Sequence, residues 1–355
     1  MSGAFHYSNP PTIIWGPRSI EDLAKELDKL QVQRPYLIST RSISGNQALM
    51  GKLRHAASRE LAGVSGCIGQ HAPQANVQEA IAAAKAATPD GIISVGGGSP
   101  IDAAKMVALE LGALPHVAIP TTLSVAELAP SAGMTDEHGQ KGGKLDPRMI
   151  ARTVIYDAEL ALHTPLELWL STGIRALDHA VETVLEPGEH PLSVTLAIDA
   201  VRRLFASLPQ AKARPGALDV RTENQIGAWL SYTLPRVAGG LGHMLAKQIG
   251  SPFGIPHGVT SCLLLPHVMR YRARTQADRL ALLVAAVGLE SHRASNAELA
   301  SAVAGAVYRL IGRLGLPQHL SAYHLTEQQL RSAAEPLVND RYPLADLLSI
   351  YQAAA

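Results

Sequence analysis

Two histidines and a lysine lie within the stretch GGLGHMLAKQIGSPFGIPH at residues 239–257. His243 and Lys247 are four apart in a segment that otherwise reads as helix, so their side chains share one face. His257 follows a proline and precedes a glycine, where a new apolar run opens. A separate segment, Arg175-Ala-Leu-Asp-His179-Ala-Val-Glu182, reads as a helix able to present His179 to the same place. Imidazoles ligate metals and move protons near neutral pH, and fixed cations hold anions. Asp178 adjoins His179, but neighbouring helical residues point about 100° apart, so joint ligation of one ion would need a distorted turn. Asp178 and Glu182 form an i, i+4 acidic pair better suited to partnering Arg175. Arg236, seven residues before His243, can extend the same face or sit in an ordinary salt bridge.

A second chemical centre is Gly96-Gly97-Gly98-Ser99-Pro-Ile-Asp102-Ala-Ala-Lys105. Three glycines let a backbone approach a bulky anion, and Ser99 reads as the start of a helix whose free N–H groups favour phosphate. The plainer alternative is a tight strand-to-helix turn with a serine cap. The pattern is neither GxGxxG nor a P-loop. The next strand ends in Pro120-Thr121-Thr122-Leu-Ser124, a second polar loop at the same edge, and two such loops suit a dinucleotide. After the second strand the turn reads Ser39-Thr40-Arg41, without the acid that an NAD-selective site commonly places on the ribose. Arg41 can pair a 2′-phosphate, so NADPH is expected to be tolerated alongside NADH; a solvated surface arginine is the alternative. Lys141 and Lys144, in a glycine-rich loop, can touch ribose or phosphate or stay solvated, and Asp102 with Lys105 can hold the cofactor amide or form an intrahelical ion pair.

The elements that must position these residues change character along the chain. Over 1–158, strand and helix alternate: strands at 12–15, 36–40, 63–67, 91–95 and 116–119, helices at 20–30, 47–57, 77–87 and 100–111. That alternation predicts βαβ units, a buried parallel sheet, and ligands beyond the carboxyl ends of its strands. Over 159–355 the pattern is helical only, with expected helices at 167–185, 192–205, 218–234, 239–249, 258–271, 276–287, 296–314 and 327–337 and a frayed Ala-Ala-Ala end. The 355 residues carry 31 basic and 30 acidic side chains and 4% aromatics, which gives no bulk pull toward nucleic acid or membrane and few base-stacking platforms. Two cysteines fit a reduced, cytoplasmic compartment; no signal-peptide pattern opens the chain, and no apolar run reaches membrane-spanning length.

GGGSPIDAAK, PTTLSVAEL, LDPRMIARTVIYDAEL, the His179 helix and GHMLAKQIGSPFGIPHGVTSCLLLPHVMRY, in this order, resemble the iron-containing (group III) alcohol dehydrogenase family. The length, Asp146-Pro-Arg148…Thr153-Val-Ile-Tyr-Asp157 and Asn339-Asp-Arg-Tyr-Pro343 are most similar to its maleylacetate reductase branch. The resemblance implies a Rossmann-like α/β domain at 1–158, an all-α domain at 159–355 in the architecture shared with dehydroquinate synthase, hydride transfer between NAD(P)(H) and a carbonyl, and a homodimer. It also implies that His179, His243 and His257 occupy the three histidine positions of a divalent metal site, Fe or Zn. The carboxylate-ligand position of metal-bearing members is here Arg175, and the proton-relay histidine position is Lys247. An arginine cannot ligate a metal and repels one, although three imidazoles still make a zinc site. Arg175 and Lys247 with His179, His243 and His257 are therefore expected to form an electropositive, metal-free pocket for a small carboxylate-bearing substrate, with Arg175 gripping the carboxylate and Lys247 or a histidine supplying the proton. The competing expectations are a three-histidine metal-dependent alcohol dehydrogenase, a dehydroquinate synthase-like lyase, and a non-catalytic nucleotide-binding protein.

Overall fold

The computed structural model describes residues 10–186, 192–232, 240–291 and 293–355, the Lys141 side chain apart; Arg236 and Gly239 fall outside them. The chain forms two compact units, Met1–Pro165 with Gly216–Gln225, and Leu166–Pro215 with Ile226–Ala355.

In the first unit the strands are β1 (Thr12–Gly16), β2 (Pro35–Ile38), β3 (Gly63–Ser65), β4 (Gly91–Gly96), β5 (His116–Pro120), β6 (Ser131–Thr135), β7 (Lys141–Leu145) and β8 (Thr153–Asp157). Its helices are α1 (Leu23–Lys29), α2 (Arg41–Ser44), α3 (Gln47–Ala57), α4 (Gln74–Ala87), α5 (Gly98–Glu110) and α6 (Ala158–Ala161). Six strands build one parallel sheet in the order β1-β8-β5-β4-β2-β3. Both faces are covered, which is why β4 and β5 read as nearly continuous apolar runs. Alternate residues serve opposite cores. Leu37, Ile93, Val95, Val117 and Ile119 pack with Leu23, Leu49 and Leu53, whereas Tyr36, Ile38 and Ile92 pack with Val77, Ala80, Ala84 and Val107. The chain leaves β2 toward β3 in one direction and β4 toward β5 in the other, so the order reverses between β2 and β4, where such sheets bind ligands.

One expectation is corrected here. Residues 141–144 are not a loop: β7 pairs antiparallel with β6, with Gly143 opposite Gly133. A Cβ on Gly143 would lie 3.0 Å from the Ala132 carbonyl, so the glycine that reads as a loop marker instead permits close strand pairing.

The second unit is helical: α7 (Leu166–Leu185), α8 (Ser193–Ala213), α10 (Leu241–Gly250), α11 (His257–Ala281), α12 (Asn296–Leu314), α13 (Glu327–Ala334) and α14 (Leu344–Ala354). Helix α9 (Leu218–Tyr232) is divided, its residues up to Gln225 belonging to the first unit and those from Ile226 to the second. Helix α7 is buried all round from Trp169 to Leu185. Helix α10 buries Leu241, Leu245 and Ile249, one turn apart, in a core shared with Leu263, Leu264, Ile350 and Tyr351, which turns His243 and Lys247 the other way. The expected helix at 258–271 and the first part of that at 276–287 are joined into α11, which ends at Ala281, across a kink at Gln276 (φ −136°, ψ 36°), and Ala285–Val287 form a separate 3-10 turn. The C-terminal alanines are not frayed: α14 reaches Ala354, which is fully buried. Among the described residues no helix is long and apolar enough to cross a membrane.

Candidate active site and cofactor loop

At the reversal point of the sheet, Gly96 closes β4 with φ +141°, a conformation only glycine adopts readily. Helix α5 begins at Gly98 with Gly97 as its N-cap, and no side chain caps it. Ser99 therefore lies inside the first turn and does not serve as the expected cap, which leaves the N-terminal amides of α5 open toward an anion. The loop after β5 closes against this turn: a Cβ on Gly97 would sit 3.3 Å from Thr122 Oγ1, and one on Gly98 would sit 3.3 Å from Ser124 Oγ. Both hydroxyl oxygens are buried without a hydrogen-bond partner among the described residues. Thr121 donates its N–H to the Gly96 carbonyl (2.9 Å), and its own carbonyl accepts from Thr164 Oγ1 (2.6 Å). Arg41 stands exposed at the start of α2, just past the end of β2. Uncapped amides, glycines and orphaned hydroxyls at one sheet edge fit the pyrophosphate of a dinucleotide.

Beneath that edge lies a cluster of buried polar groups. Lys105 is fully buried and donates to the carbonyls of Ala126, Ala129 (2.8 Å) and Ser131 (2.9 Å). Burial pushes its pKa down, against the pull of Asp102 and Glu127. Asp102 accepts the Gly133 N–H at 3.1 Å, so this carboxylate ties α5 to β6. Tyr156 donates to Glu127 at 2.7 Å, and burial raises the pKa of both. His116 bonds Ser94 at 2.7 Å and is pushed down to about 3, first by burial and then by Lys105. Lys144 reaches Glu110 at 3.4 Å on the surface.

In the second unit, Arg175, Asp178, His179 and Glu182 form a stripe at i, i+3, i+4 and i+7 along buried α7. Arg175 Nη1 donates to Asp178 at 2.7 Å and to Ser261 Oγ at 3.2 Å, while Ser261 donates to the same carboxylate at 2.8 Å. Arg175 Nη2 meets Nδ1 of His243. Glu182 accepts the backbone N–H of His243 at 2.9 Å, which supplies the cap that Gly240 cannot give α10. Glycine is needed there because a Cβ on Gly240 would overlap Glu182 at 2.4 Å. The ring of His243 lies 6.2 Å from that of His179 and 5.5 Å, edge-on, from that of His257 (centroid distances), and Tyr232 packs edge-on against His179 at 4.9 Å. Lys247 is exposed one turn after His243.

The structure brings the three expected histidine rings together with Arg175, gives Arg175 a different task, and leaves Lys247 exposed one turn further along α10. Both terminal nitrogens of Arg175 have protein partners, so the expected two-nitrogen grip on a substrate carboxylate is not open to it. Ser261 and Tyr232 carried no sequence signal beyond their places on helices. The donor set also fits a dication poorly. Asp178 and Glu182 are committed to Arg175 and to α10, and a guanidinium donating to Nδ1 of His243 leaves the ring proton on Nε2, the nitrogen opposite.

The family model of iron-containing alcohol dehydrogenases matches residues 10–158, and that of the family's C-terminal part matches residues 169–352. The chain belongs to the iron-containing alcohol dehydrogenase family. Within it, the chain is 30% identical over 334 residues to the maleylacetate reductase of Burkholderia cepacia, covering 94% of this chain and 90% of that protein. It is 34% identical over 283 residues to maleylacetate reductase 2 of Cupriavidus pinatubonensis, covering 79% and 77%. The crystal structure of maleylacetate reductase from Agrobacterium tumefaciens superposes with a TM-score of 0.86 at 28% identity, covering 99% and 98% of the two chains. A 1,3-propanediol oxidoreductase structure gives 0.92 at 25% identity, covering 99% and 100%. The chain is an NAD(P)-dependent oxidoreductase of the maleylacetate reductase branch.

Proposed function

We propose that this enzyme reduces a carbonyl on a small, carboxylate-bearing substrate of the maleylacetate type with NADPH or NADH, and does so without a metal. The observation that carries the metal-free reading is Arg175, bonded to Asp178, Ser261 and Nδ1 of His243 where a carboxylate ligand would be needed. The bound nicotinamide supplies the hydride. Gly96, Gly97, Gly98, Ser99, Thr121, Thr122 and Ser124 hold the cofactor's pyrophosphate side, and Arg41 faces the ribose 2′-position. Lys141 is assigned to the same cofactor.

Lys247, exposed and without an ion-pair partner among the described residues, is the cation that holds the substrate carboxylate. Arg175 donates to Nδ1 of His243, which leaves the ring proton on Nε2; from there the ring hydrogen-bonds to the oxygen that gains charge as the hydride arrives, and a water supplies the proton that completes the hydroxyl. His179 and His257 flank it and orient the ring. The three imidazole rings, close together, also favour a second reading in which they hold zinc or iron.

One pair of measurements on the purified protein decides between the two: metal content, and NADPH oxidation with maleylacetate before and after chelation. Stoichiometric NADPH oxidation that survives chelator supports the metal-free reductase. Activity lost to chelator and restored by Fe²⁺ or Zn²⁺ overturns it in favour of the second reading.

A further inference from the structure

Lys105 never reaches the open sheet edge, yet it holds the part of the chain that forms it. All three of its ammonium hydrogens are matched by main-chain carbonyls, those of Ala126, Ala129 and Ser131. These carbonyls belong to the first residue of the turn Ala126–Leu128, to Ala129 that ends it and to the first residue of β6, a stretch that opens two residues after Ser124. Between Ser124 and that turn stands Val125 at φ 57°, ψ 18°. A β-branched residue in the left-handed region is strained and persists only where its surroundings over-determine it. The strained residue sets Ser124 over the turn: a Cβ on Gly98 would meet Ser124 Oγ at 3.3 Å and the Ala126 Cβ at 3.6 Å.

We propose that Lys105 is a positioning residue for the cofactor, its ammonium clamping residues 125–131 in the strained course that holds Ser124 and Thr122 against the glycine turn. The inference rests on the reading of that turn as the dinucleotide site. Affinity for NADPH then depends on a buried cation that does not touch it, and the clamp and the strain at Val125 are two halves of one device. Glycine at 125 would relieve the strain and lessen the need for the clamp.

The test is NADPH affinity by fluorescence titration, with thermal stability and steady-state constants measured beside it. Lys105→Met fills similar volume but donates nothing; its Kd for NADPH is expected to rise about tenfold or more. KM for the carbonyl substrate and kcat at saturating NADPH should change less than about twofold. Lys105→Met combined with Val125→Gly should recover at least about threefold of the lost affinity, a rescue that a purely structural lysine would not show. A folded Lys105→Met with Kd within about twofold of the parent, or no recovery in the double variant, overturns the proposal. Should Lys105→Met not fold, Lys105→Gln, which keeps two donors, takes its place under the same criteria. A parent enzyme that binds no NADPH would instead refute the cofactor site itself, so the two failures are distinguishable.

Discussion

The two units each bury a cluster of charged and polar side chains, and they neutralise them by different means. Around Lys105 the cation is met by backbone carbonyls and burial shifts the protonation of its neighbours, with Lys105 pulled down, Glu127 and Tyr156 pushed up and His116 driven neutral. Around Arg175 they are satisfied by an opposite charge, Asp178, in a 2.7 Å ion pair closed by Ser261. The first arrangement ends in main chain and so fixes a loop. The second ends in an imidazole beside an exposed lysine and so leaves groups that can act on a substrate. On the proposals above, the buried charge tied to backbone serves position and the one tied to side chains serves chemistry.

This contrast can be broken in order of expected effect. Arg175→Met strands Asp178 in the core, and the loss of one partner of a buried pair should cost about 3–5 kcal/mol in denaturant unfolding. A change under about 1 kcal/mol would mean that the pair is not a buried charge pair in solution. Lys247→Ala, on the exposed side of α10, should leave stability and NADPH affinity unchanged while kcat/KM for maleylacetate falls about 100-fold. Unchanged kcat/KM would remove Lys247 from the substrate site. Arg41→Ala should do the reverse, raising KM for NADPH about tenfold with little effect on NADH or on the carbonyl substrate. Equal effects on both cofactors would show that Arg41 does not read the 2′-phosphate.

The smallest effect concerns pH. His116 has a folded pKa of about 3 against an ordinary value of 6.5, so the unfolded chain binds the extra proton first. Its contribution to stability is whole above about pH 6.5 and is lost as pH falls toward 3. His116→Asn should therefore flatten the fall in stability between about pH 7.5 and pH 5.5 by about 1 kcal/mol relative to the parent. Parallel curves would show that His116 does not titrate this way.

Much of this was legible in the residues. The alternation of strand and helix, the apolar runs of β4 and β5 and the glycines at 96–98 announced the parallel sheet and its ligand-bearing edge, because burial on both faces and a tight turn each leave local marks. The helical second half and the His243–Lys247 face followed from period alone. Less legible were the elements whose marks contradict their state. Residues 141–144 read as loop because glycines that permit close strand approach look like glycines that break strands. The alanine end of α14 read as frayed because burial of Ala354 depends on a core assembled from other helices. Ser99 read as a cap because the type suits it, whereas the helix begins two residues earlier than expected, at Gly98, with Gly97 at the cap position.

The sequence by itself determined which residue types stand at the chemical positions: an arginine at 175, a lysine at 247, histidines at 179, 243 and 257, and a glycine-rich turn after β4. Only the tertiary structure decided what Arg175 does. Its partners Ser261 and His243 lie 86 and 68 residues away in the chain, and Glu182 caps a helix 61 residues further on. Local sequence sets a side chain's face and charge. Which distant donor or acceptor meets it in a low-dielectric interior, and whether its charge is spent within the protein or kept for a substrate, is settled when the helices pack.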